Sequence, residues 1–166
     1  MRFVDIWLAI PATLMAIVLI AAFGSSVVNL TLALAIAYTP SFARVARSIV
    51  LPLRDQEYIQ AARAVGVNDF HIILSHILPN AMGPILAQAT LSVSKTILAI
   101  AGLSFIGLGI SAPAPEWGTL LFEGKGQMLA KPYLVIIPGV AIVLVSLAIN
   151  LIGDGLRDVL DPRSKK

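Results

Sequence analysis

The sequence contains no cysteine and few charged residues. Without cysteine, the chain can form no disulfide, no thiolate metal site and no cysteine nucleophile. Charged side chains make up 13% of its 166 residues, whereas soluble domains carry about 25%. Hydrophobic residues reach 58% of the chain. The composition therefore predicts a membrane protein, and the length allows one domain.

The glycine patterns of nucleotide-binding enzymes are incomplete. Before Gly124-Lys125, Thr119 stands where a P-loop needs its first glycine, and Gly126 replaces the required Ser or Thr. Gly107-Leu108-Gly109 follows an apolar run rather than a strand, so it predicts close helix packing and not a dinucleotide site. We therefore expect no catalytic residues, no cofactor and no enzymatic activity.

The two histidines, His71 and His76, are five residues apart. Metal ligation from one helix face uses a spacing of four, so this spacing argues against a metal site. We expect both to be interfacial histidines on or near short amphipathic helices.

Four apolar segments approach or exceed the roughly 20 residues that a membrane-spanning helix needs. They cover about 4–23, 27–45, 81–110 and 133–152, with a Pro- and Gly-rich external loop predicted at 111–132. A signal peptide is the alternative for the first segment. Its length, Pro11 and the single basic residue before it argue against cleavage.

Within the loop 48–80, the stretch 56–80 is the only long polar interruption between apolar runs, and it predicts two short amphipathic helices. The apolar faces consist of Tyr58, Ala61, Ala62 and Val65 in the first helix, and Phe70, Ile73, Leu74, Ile77 and Leu78 in the second. Gly66 is predicted to end the first helix in a left-handed conformation, Asn68 or Asp69 to cap the second, and Pro79 to close it. Helices of about ten residues are roughly 15 Å long and cannot cross a bilayer. The small side chains of Ala61 and Ala62 indicate a surface on which another protein docks.

Basic residues predict the orientation of the chain. Nine would be cytoplasmic, and only Lys125 and Lys131 would be external. The cytoplasmic set is Arg2, Arg44, Arg47, Arg54, Arg63, Arg157, Arg163, Lys165 and Lys166. Four crossings would place both termini in the cytoplasm. The net charge is +3, and the basic residues lie at the ends of apolar segments. We therefore expect contact with membrane lipid and no nucleic-acid partner.

The polar stretch also carries a motif, formed by Gln60-Ala61-Ala62, Gly66 and Leu78-Pro79. It resembles the EAA loop in the membrane subunits of binding-protein-dependent ABC importers. Gln60 stands where that motif begins with Glu, and His76 where Ile is usual. The strings 58–64, 76–80, 104–118 and 153–163 are similar to the C-type permease of the oligopeptide, dipeptide and nickel branch.

The resemblance implies an all-α polytopic membrane helical bundle of the type I importer kind, with about four spanning helices and two short cytosolic coupling helices. It implies a second permease subunit, cytosolic ATPase subunits and an extracytoplasmic solute-binding protein as partners. The chain would form part of an inner-membrane pathway for peptides or a related solute, with ATP hydrolysed by the partner. The residues implied to couple to the ATPase are Tyr58, Gln60, Ala61, Ala62, Arg63, Gly66, Leu78 and Pro79. The alternative is a non-transporting membrane scaffold whose cytosolic helices bind a partner. The family's subunit has further spans before the region matched by residues 1–5, and we expect this chain to lack them.

Two further positions have two interpretations each. Lys95 lies inside the third apolar segment, where a charge is costly, so it either contacts the solute pathway or extends its stem toward a polar interior or surface. Glu116-Trp117 in the external loop is either an interfacial aromatic anchor or a contact for the binding protein.

Overall fold

The computed structural model describes residues 2–110 and 113–160, which form helices and turns without a strand. The elements are α1 (Arg2–Leu8), α2 (Ala12–Phe23), α3 (Val27–Arg54), α4 (Glu57–Ala64), α5 (Asp69–Ile72), a π-turn (Ile73–Ile77), α6 (Leu78–Phe105), α7 (Trp117–Gly124), a 3₁₀ turn (Lys125–Gln127) and α8 (Tyr133–Leu160). The predicted all-α class is confirmed. Ser111 at the predicted loop boundary, together with Arg163, Lys165 and Lys166, lies outside the described residues.

The bundle has two packed regions. α6 lies along α8 with α7 against both, while α2 and α3 form a hairpin whose second helix also contacts α6. The main core consists of Ala16, Ile20, Leu30, Ala33, Leu34, Ala37 and Leu103. Its alanines let the helix backbones approach closely, as is typical of helix contacts in membranes. Between α6 and α8, the buried Ser94 hydroxyl donates to the Ser146 carbonyl oxygen at 3.1 Å.

Within residues 2–110 and 113–160, two helices are long and apolar enough to cross a membrane, namely Asp69–Phe105 and Tyr133–Val159. The predicted spans 81–110 and 133–152 overlap these helices, although α6 ends at Phe105. α3 is 28 residues long, but polar and basic residues occupy its second half and it is not one of the two. The total of four crossings stays a prediction.

The first apolar segment is bent where one continuous helix was expected. α1 and α2 meet at 79°. Together they would form one membrane span only if that span is broken at the bend. Pro11 explains the break, because it has no N–H to donate and its ring obstructs the preceding helical turn. The Trp7 indole donates to the Met15 sulfur at 2.8 Å, and Asp5 pairs with Arg44 of α3 at 2.7 Å. α1 is thereby tied back to the hairpin.

Candidate functional site

The polar stretch 48–80 folds around its own small core. Ile59 of α4, Ile72 of α5 and Ile77 of the π-turn are buried together, with Val50, Ala62 and Val67 packed around them. α4 is therefore fixed to the helix that continues into α6. Sequence analysis missed Ile59 and Ile72, because apolar residues occupy more than one side of each short helix.

The face of α4 opposite this core is exposed. Ile59 and Ala61 are two positions apart, which separates their directions by roughly 200° around the helix. Ala61 is exposed beside Tyr58 and Val65, which are 44% and 80% exposed. Ala62 was predicted to share this face, but the structure half-buries it against the core of the loop. Among the two alanines, Ala61 alone presents a small side chain outward.

The turn between α4 and α5 confirms two predicted caps. Gly66 adopts φ = 81°, and its N–H donates to the Arg63 carbonyl at 3.0 Å. The Val67 N–H donates to the Ala62 carbonyl at 3.1 Å, which completes a Schellman motif. The Asn68 side chain then accepts from the Phe70 N–H at 2.9 Å and caps α5.

The prediction that Pro79 closes the second short helix is wrong. Residues Asp69–Phe105 form one helical run. In an α-helix the ring of Pro79 would clash with the carbonyl four residues earlier. The run accommodates it through the π-turn, in which the Leu78 N–H reaches back to the Ile73 carbonyl. Leu78 and Pro79 therefore join the loop directly to α6.

The π-turn also brings the two histidines together, so the spacing argument that separated their faces is wrong. The His76 ring lies 6.4 Å from the His71 ring and 6.4 Å from the Tyr58 ring, edge-on in both cases. Among the described residues, no group of three metal-ligating side chains is present. The contact with the His76 ring holds the Tyr58 ring at the edge of the exposed face of α4.

Gln60 and Arg63 form contacts within the loop. The Gln60 amide donates to the Asp55 carbonyl at 3.1 Å, across the turn between α3 and α4. A carboxylate at this position would have no proton to donate there. Arg63 pairs with Asp69 at 3.5 Å across the turn between α4 and α5. Both side chains are exposed, so this ion pair adds at most about 1 kcal/mol.

Lys95 lies at a cleft between α3 and α6. The cleft has a volume of ≈ 410 Å³, and its polar lining comprises Tyr38, Thr39, Ser41, Gln88, Ser92, Lys95 and Thr96. Lys95 lies on the same continuous helical run, Asp69–Phe105, as the second part of the stretch 48–80, whereas α4 precedes that run.

Glu116 links the C-terminal end of α6 to α7. Its carboxylate accepts from the Ser104 hydroxyl, from the Ile110 N–H at 3.1 Å and from the Thr119 hydroxyl at 2.9 Å. Glu116 thus connects α6, the turn after it and α7 through hydrogen bonds within the chain. The neighbouring Trp117 is 44% exposed, so its predicted role as an interfacial anchor or a partner contact stays a prediction.

Comparison with known proteins gives a family match over the whole chain. Residues 1–166 match the family model described as binding-protein-dependent transport system inner membrane component. The chain is 48% identical over 164 residues to the dipeptide transport system permease protein DppC of Alkalihalophilus pseudofirmus, covering 99% of this chain and 54% of DppC. It is 43% identical over 165 residues to the glutathione transport system permease protein GsiD of Escherichia coli, again covering 99% of this chain and 54% of the relative. The chain therefore spans about half the length of the curated relatives it matches.

Proposed function

The chain belongs to the family of inner membrane components of binding-protein-dependent transport systems, and from that premise we propose that it forms part of the translocation pathway of an ATP-driven importer. The solute would be a peptide or a related molecule, because the relatives are named for dipeptide and glutathione transport. ATP hydrolysis would take place in separate cytosolic ATPase subunits. A second permease subunit and an extracytoplasmic binding protein would complete the assembly.

We call the stretch 48–80 the docking loop. The observation that carries the proposal is the continuous helical run from the second part of this loop into the bundle. α4 exposes Ala61, Tyr58 and Val65 on one side and buries Ile59 against Ile72 and Ile77 on the other. Ile72 and Ile77 belong to the 37-residue run Asp69–Phe105, which also holds Lys95. A displacement of α4 by an ATPase would therefore move the cleft without passing through a flexible joint.

The residues proposed for coupling to the ATPase would have different roles. Ala61 and Tyr58 would contact the ATPase, with Gln60 and Arg63 setting the orientation of α4. Ala62 and Gly66 would shape the loop from within, and Leu78 and Pro79 would connect it to α6. This division follows from the exposure and bonding of each side chain.

The orientation is part of the proposal. The loop 48–80 and both termini would face the cytoplasm, and α7 would lie at the external side. Support comes from the excess of basic residues predicted at the inner ends of the helices. Four crossings would follow if α1 and α2 together, and α3, each cross the bilayer beside the two long apolar helices.

The test is Ala61→Trp in the complete transporter assembled around this chain. An indole at the centre of the exposed face should block close docking, so that ATPase co-purification and ATP-dependent peptide uptake fall together. Ala130→Trp is the matched control, because Ala130 is exposed near the 3₁₀ turn and outside the docking loop. Normal co-purification and uptake in Ala61→Trp would refute the coupling role of this face. Absence of ATP-dependent uptake with the unmodified chain would instead favour the scaffold role.

A further inference from the structure

The cleft between α3 and α6 contains a cation that lacks a partner. Lys95 is exposed to it and has no hydrogen bond or ion pair among the described residues. None of the side chains that line the cleft is a carboxylate. A charge inside a membrane segment is costly unless an opposite charge compensates it. An anion is therefore the ligand that suits the cleft.

The position of Lys95 along α6 argues against a side chain that simply reaches for the membrane surface. Lys95 is about 24 Å along the helix from Pro79 and about 15 Å from Phe105, at about 1.5 Å per residue. Each distance exceeds the length of a lysine side chain. If Pro79 and Phe105 mark the two ends of the membrane-spanning part, the ammonium group reaches neither surface and stays at the depth of the cleft.

The hydroxyl groups around Lys95 are turned into acceptors by their own helices. Thr39 donates to the Ala35 carbonyl at 2.6 Å, Ser92 to the Gln88 carbonyl at 2.8 Å and Thr96 to the Ser92 carbonyl at 2.8 Å. Each hydroxyl proton is thus used on the backbone, and the oxygen lone pairs remain for a ligand. The cleft combines one cationic donor with several neutral acceptors.

We propose that this cleft is a transient binding site for a short peptide, with the peptide carboxylate at Lys95 and peptide N–H groups at the hydroxyl oxygens. The ≈ 410 Å³ volume lies within the range of about 300–1,000 Å³ found for small-molecule sites. The inference rests on the proposed function for the identity of the solute as a peptide. It adds the contact, the charge that is recognised and the residue responsible.

The test uses a single cysteine as a reporter of cleft occupancy. The chain has no native cysteine, so Ala35→Cys, on the wall of the cleft, is the only reactive thiol when the partner subunits are also cysteine-free. The rate of maleimide modification is measured in membranes holding the assembled complex, without ATP, during titration with trialanine or trialanine amide. Ala114→Cys, in the segment before α7, controls for effects unrelated to the cleft.

We expect trialanine to protect Ala35→Cys and trialanine amide to protect it at least about tenfold more weakly, because the amide lacks the charge that Lys95 pairs with. Lys95→Met and Lys95→Gln should each reduce protection by trialanine to the level of the amide, and Lys95→Arg should retain it. Equal protection by both peptides, no protection by either, or full protection in both neutral variants would overturn the proposal. ATP-dependent uptake is a separate readout, so its absence would refute the proposed transport function while carboxylate-specific protection would still support the site.

Discussion

Gly118 determines how closely α7 approaches α6, and a methyl group added there meets atoms on α6. An ideal Cβ on Gly118 would lie 2.5 Å from Ser104 Cβ and 3.1 Å from Ala101 Cα. The second of these is a backbone atom, so a rotamer change cannot relieve the contact. Carbon atoms in contact are about 3.5–4.0 Å apart, which requires a shift of α7 by about 1 Å. That shift also weakens the hydrogen bond from Ser104 to Glu116. We expect Gly118→Ala to cost about 2–4 kcal/mol, from overpacking and the loss of a bond to a charged acceptor.

The assay is the midpoint of thermal unfolding of the assembled complex in detergent. A cost of this size should lower the Tm by roughly 5 °C or more. Gly126→Ala is the matched control, because a Cβ at Gly126 meets nothing within 4 Å and the backbone there is not left-handed. If the two variants unfold at the same temperature, α7 does not pack against α6 as described.

Two further predictions concern the docking loop and the orientation. Gly66→Ala should weaken the loop by about 1–2 kcal/mol through its left-handed backbone alone, since an added Cβ meets nothing within 4 Å; faster amide hydrogen exchange in α4 is the expected signal. Gly155→Ala, which has open space and no left-handed backbone, should leave that exchange unchanged, and equal behaviour of the two variants would contradict the Schellman cap. Single cysteines at Asn68 and Ala114 should react with an impermeant maleimide from opposite sides of the membrane, and labelling from one side would exclude the proposed topology.

Local bonding was predictable from the sequence where a few neighbouring residues decide it. Gly66 and Asn68 cap their helices through bonds that span two to five residues, and the structure confirms both. The helical class likewise follows from long apolar runs, because only a helix or a closed barrel satisfies the backbone inside a membrane. The same reasoning gave the approximate positions of α6 and α8.

Prolines show why the rest could not be read from local sequence. Pro11 breaks the first apolar segment, whereas Pro40 and Pro138 lie inside continuous helices. The outcome depends on whether neighbouring groups satisfy the freed carbonyl, and that is a property of the packed bundle. Pro79 belongs to a third case, in which a wider turn removes the clash.

Glu116 was missed as a structural residue for a related reason. Its carboxylate bonds to Ser104, which is twelve positions earlier in the chain. The available signal was the small residues that surround the contact, Ser104, Gly109 and Gly118, since a Cβ on either glycine would collide with the serine. The sequence predicts helix packing at Gly109, and in the structure Gly109 also leaves room for the Ser104 side chain that bonds to Glu116.

The π-turn at Ile73–Ile77 sets the rotation of α5 about the helix axis relative to α6. A helix that gains one residue within a turn rotates everything before that point by about 100° around its axis. Deleting Ser75 would therefore bring the ring of Pro79 against the carbonyl four residues earlier, and it would rotate Ile72 away from the core that it shares with Ile59 of α4. The one extra residue in this turn thus removes the proline clash and also keeps Ile72 directed toward Ile59.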